Sequence, residues 1–140
     1  MSMIPLEEAA AAKRAALASD WLTAAEVSRS MGSTEDLADK LRRDGKLLAV
    51  YLDTSAPGFR FPNWQFRENG QPVRELPHIL TVLREQGPFL DESLRTTGWG
   101  ELEWFISPHV LLDGATPAEI LATAPIRVLA AAETEFGEST

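Results

Sequence analysis

Apolar positions recur at helical spacing along most of this chain and alternate over one short stretch only. Leu76, Ile79, Leu80 and Leu83 stand at i, i+3, i+4 and i+7, which predicts a helix over 76–86 opened by Leu76-Pro77 and ended by Gly87-Pro88. Further helices are predicted over 99–106, 117–124 and 125–135. Pro117 and Pro125 take first-turn positions, where the missing N–H costs little. Near the start, 5–18 forms an alanine-rich helix with Glu7 and Glu8 in its first turn, where the helix dipole favours acids. Thr23 with Glu26 makes a capping box that opens a helix over 24–31, ended by Gly32. Ser33-Thr34 opens a second short helix over 35–43, ended by Gly45. Val27, Met31, Leu37, Ala38 and Leu41 fall where these two helices face each other, and Ser28 is small enough to let them approach. The strand-like run 47–52, a turn over 53–58 and the alternating Phe59-Arg60-Phe61 predict a two-stranded hairpin closed by Pro62. A second turn follows at Asn69-Gly70-Gln71-Pro72.

These elements predict a mainly α fold, with an N-terminal winged helix-turn-helix carrying a small β-hairpin, followed by a C-terminal helical bundle. The expected division is an N-terminal helical arm at 1–19, the winged helix-turn-helix at 20–67, a linking helix at 68–95 and a helical domain with an acidic tail at 96–140.

Charge sharpens this division. The net charge is −8, and all of the excess lies in residues 68–140, which hold twelve acids and four bases. Residues 19–67 balance seven acids with seven bases. A neutral N-terminal module joined to an acidic one can hold DNA at one end and a basic partner at the other. The DNA candidates are Arg29, Lys40, Arg42, Arg43 and Lys46 on the helix-turn-helix and Arg60 on the wing. Glu35, Asp36 and Asp39 oppose them from the start of the second helix. A purely structural or dimerising helix-turn-helix is the alternative.

Catalytic chemistry has little to build on. The chain has no cysteine, no Gly-rich phosphate loop and no nucleophile elbow, and its two histidines, His78 and His109, show no metal-ligand spacing. The expectation is no enzyme, no cofactor and no metal. No apolar run nears the ~20 residues of a membrane span, so no membrane contact is expected, and a cysteine-free chain suits the cytoplasm.

The segment Trp104-Phe105-Ile106-Ser107-Pro108-His109-Val110-Leu111-Leu112-Asp113-Gly114-Ala115-Thr116-Pro117-Ala118-Glu119-Ile120-Leu121 resembles the toxin-binding domain of the Xre/MbcA/ParS antitoxin family, with Phe105 where leucine is usual and His109 where asparagine is usual. The likeness extends over about 96–136. The helix-turn-helix, ending Arg43-Asp44-Gly45-Lys46-Leu47, resembles those of MerR-like and excisionase-like proteins. The resemblance implies a type II antitoxin that dimerises, neutralises a toxin enzyme of the NAD-consuming RES type, and represses its own operon by binding operator DNA. It also implies toxin contacts near the C-terminal end, here Ile126, Leu129, Glu133 and Phe136, with Glu135 and Glu138 adding charge. The rival expectation is a DNA-binding transcription regulator without a toxin, whose C-terminal bundle serves to dimerise.

Overall fold

The computed structural model describes residues 6–18, 20–33, 36–52, 57–86, 96 and 98–136. Among them are seven helices and one three-stranded antiparallel sheet. In order these are α1 (Leu6–Ala18), β1 (Leu22–Thr23), α2 (Ala24–Ser30), α3 (Asp36–Arg43), β2 (Val50–Leu52), β3 (Gly58–Phe61), α4 (Leu76–Gln86), α5 (Trp99–Ile106), α6 (Pro117–Ile120) and α7 (Pro125–Phe136), with single 3₁₀ turns at Asn63–Gln65 and Val110–Leu112. No helix among these residues is long and apolar enough to cross a membrane. Residues 53–56 of the expected turn over 53–58, the residues Thr34 and Glu35, most of the connection after α4 and the acidic end past Phe136 lie outside the described residues.

The sheet has the order β1-β3-β2. Val50, Tyr51 and Leu52 pair with Arg60, Phe59 and Gly58, as the alternation predicts. The third strand is an addition to the expected hairpin: Leu22 and Thr23 pair with Phe61 and Arg60. Two residues are too few to show a period of two.

β2 also starts later than the apolar run 47–52, and Gln65 supplies the reason. Its buried side-chain amide accepts from the Leu48 N–H at 2.8 Å and donates to the Leu48 carbonyl at 2.8 Å and the Pro62 carbonyl at 3.0 Å. The backbone of Leu48 is therefore satisfied by a side chain and needs no strand partner. Leaving a buried backbone group unpaired costs about 1–3 kcal/mol, so this bracket is a substantial local anchor.

Among the described residues the buried apolar side chains form one core. Leu76, Ile79, Leu80 and Leu83 of α4 are fully buried, each contributing about 2 kcal/mol, and α4 packs along α7. The segment expected to link two units is thus itself a core element. α5 packs against β2 and α6, its Phe105 ring lies 5.1 Å from Trp64, and Trp99 Nε1 donates to the Tyr51 carbonyl at 2.7 Å. Beneath α5 sits a buried ion pair. Glu101, with no exposed surface, accepts from Arg84 Nε at 3.0 Å and from the Thr96 hydroxyl at 2.8 Å. Removing one partner from such a pair strands a charge, so it fixes α5 on α4.

The helix expected over 117–124 is shorter, ending at Ile120. Pro125 opens α7 and disfavours the helical conformation in the residue before it. The N–H groups of Thr123 and Ala124 both fall back on the Ile120 carbonyl, making a turn between two helices.

Candidate nucleic-acid interface

β1, α2, α3 and the β2–β3 hairpin place the cations predicted from sequence. Local chemistry fixes α2: the Thr23 hydroxyl accepts from the Glu26 N–H at 3.2 Å, and the Glu26 carboxylate accepts from the Thr23 N–H at 3.1 Å. The backbone N–H of Thr23, then its side chain, hold the Glu26 carboxyl below its ordinary range, helped by Arg29 and Arg60. α3 is seated on α2 by Ser28, whose buried hydroxyl accepts from the Ala38 N–H at 3.0 Å. That N–H belongs to the first turn of α3 and has no partner within its own helix. Ser28 is thus more than the small residue the sequence suggested.

Ala38 is buried, and Asp36, Lys40 and Arg43 are the exposed positions of α3. Their i, i+4, i+7 spacing puts one acid and two cations on a single outward stripe. Lys46, exposed in the turn that follows, extends the cationic end, and Arg29 is exposed in the last turn of α2.

Arg42 sits differently. Its guanidinium lies over the Phe59 ring at 3.8 Å, and its Nε is 3.7 Å from the Asp39 carboxylate with no hydrogen-bond partner among the described residues. Burial pulls its pKa below the ordinary guanidinium value and Asp39 pushes it back up. Arg42 braces α3 against β3, and the Phe59 ring is in turn edge-on to Tyr51 at 5.3 Å. A cation in a run of cations gave no sign of this role.

Arg60 is half-buried, with Nη1 donating to the Phe59 carbonyl at 3.1 Å. It lines a cleft of about 440 Å³ with Thr23, Asp36, Asp39 and Phe59, between the starts of α2 and α3 and the hairpin. The structure therefore brings Arg60 to the acidic end of α3, while Lys40, Arg43 and Lys46 run along the other end.

The residues that the resemblance assigns to a toxin share one side of α7 at helical spacing. Ile126 is 63% exposed and Glu133 is exposed, while Leu129 and Phe136 are half-buried against the core. Trp104 on α5 and Leu121, the residue that follows α6, are both buried. A polar cluster that the sequence gave no hint of lies beside them. Glu135 Oε1 accepts from Trp104 Nε1 at 3.1 Å and meets His109 Nε2 at 2.7 Å. These partners are 31 and 26 residues apart, so no local pattern could join them. Among the described residues no three metal-ligating side chains come together.

The chain matches no protein-family model, and no curated protein matches it. An NMR structure of Rv2175c resembles it with a TM-score of 0.64 and 24% sequence identity, over 83% of this chain and 80% of that one. At that identity the likeness establishes a shared fold: mainly helical, with a small antiparallel sheet.

Proposed function

We propose that this protein binds duplex DNA through a winged helix-turn-helix. The observation that carries the reading is the element order β1-α2-α3-β2-β3 with sheet order β1-β3-β2, joined to the exposed cations of α3 and its following turn. In this reading α3 lies in the major groove and the β2–β3 hairpin is the wing. Lys40, Arg43, Lys46 and Arg29 contact phosphates, Arg60 supports the wing side, and Arg42 holds wing and helix in register. Asp36, at the exposed start of α3, repels phosphate but can accept from cytosine N4.

The C-terminal half serves a second role, partner binding. Val110 is 86% exposed, Leu111 48% and Ile126 63%, which leaves uncovered aliphatic side chains within the segment that resembles a toxin-binding domain. On that resemblance the partner is a toxin enzyme and the DNA is the protein's own operator. A regulator that lacks a toxin is the rival.

Fluorescence anisotropy with a labelled fragment of the protein's own promoter tests the DNA reading. Four to five phosphate contacts should give a log K versus log salt slope of about −4 for each DNA-binding unit. No association at about 50 mM salt would reject the reading.

A further inference from the structure

We infer that the groove between α5 and the end of α7 is a receptor for an arginine side chain of a protein partner. The groove holds about 440 Å³, a size ordinary for a ligand site. Trp104, His109 and Phe136 line it with Glu103 and Glu135, and among the described residues no lysine or arginine does. The Trp104 ring lies 5.7 Å from the His109 ring and 6.4 Å from Phe136. Aromatic rings beside carboxylates attract a cation by quadrupole and charge together.

The hydrogen bonds leave that charge available. The Leu111 N–H donates to His109 Nδ1 at 3.1 Å, so Nδ1 is an acceptor and Nε2 carries the hydrogen given to Glu135. Both contacts to Glu135 fall on Oε1, and among the described residues neither Glu135 nor Glu103 pairs with a lysine or arginine. The Trp104 and His109 bonds orient the carboxylate without cancelling it. Arginine suits the site better than lysine, because its planar guanidinium can lie on a ring while donating to a carboxylate. Ile106, Val110 and Leu111, exposed on the adjoining segment, would take the apolar neighbours of that arginine. Twelve acids against four bases in residues 68–140 favour the same basic partner.

This inference rests on the partner-binding reading of the C-terminal half and is independent of DNA binding. The test is an ¹H–¹⁵N NMR titration of the full chain with three probes: Ac-Leu-Arg-Leu-NH₂, Ac-Leu-Lys-Leu-NH₂ and the neutral Ac-Leu-norleucine-Leu-NH₂. The arginine peptide should shift the Trp104 indole N–H and the Glu135 amide, saturably, and bind several-fold tighter than the lysine peptide. The neutral peptide should leave both signals in place. Glu135→Gln keeps an Oε1 acceptor for Trp104 and removes the charge, and should weaken the arginine peptide roughly tenfold. Equal shifts from the neutral peptide would overturn the cation site while sparing an apolar partner surface. Silence of residues 106–111 and 135 with all three probes would overturn both.

Discussion

Gly98→Ala is expected to unseat α5 from the sheet and cost at least about 4 kcal/mol. A Cβ at Gly98 would lie 1.8 Å from the Ala49 carbonyl oxygen, 2.9 Å from its carbon and 3.2 Å from Val50 Cα. All three are backbone atoms at the start of β2, so no side-chain rotation relieves the overlap. The φ of +87° adds strain for any residue with a Cβ. α5 would have to move away from β2, breaking the Trp99–Tyr51 hydrogen bond and opening the buried Arg84–Glu101 pair. Gly114→Ala is the control. Its φ of +86° is within a degree of that of Gly98, yet nothing lies within 4 Å of the added Cβ, so the cost should stay at about 1 kcal/mol. Urea denaturation of both variants checks this. A Gly98→Ala midpoint as close to wild type as that of Gly114→Ala would show that α5 does not approach β2 as described.

Reversing Lys40, Arg43 and Lys46 to glutamate should abolish DNA binding while leaving the fold intact. All three are exposed and make no ion pair among the described residues, so each change should alter stability by no more than about 0.5 kcal/mol. In the DNA complex each loses a phosphate contact and gains a repulsion beside Asp36. The expected loss of affinity is about 1000-fold or more at low salt, and any residual binding should have a salt slope shallower by about 3. A variant that melts like wild type and still binds its promoter with an unchanged slope would remove α3 from the interface.

The features legible in the sequence were those set by neighbours along the chain. The Thr23–Glu26 capping box needs residues three apart. The apolar face of α4 shows at three- and four-residue spacing, and Pro125 announces the start of α7. The hidden features depend on partners far along the chain. Gln65 looks like any polar residue until Leu48, 17 residues earlier, offers its backbone. Glu101 counts as surface charge until Arg84 and Thr96 enclose it. Among the candidate cations, the sequence groups Arg42 with Lys40 and Arg43. Only the position of Phe59 in β3 shows that Arg42 has a structural task.

The proposed DNA-binding surface is the β1-α2-α3-β2-β3 unit. Its most direct test is an ¹H–¹⁵N NMR titration of the full chain with a duplex of its own promoter. Amide shifts should concentrate in the last turn of α2, in α3, at Lys46 and in β3, while α7 stays still. Shifts confined to α5 and α7, or none across the whole chain at low salt, would contradict it.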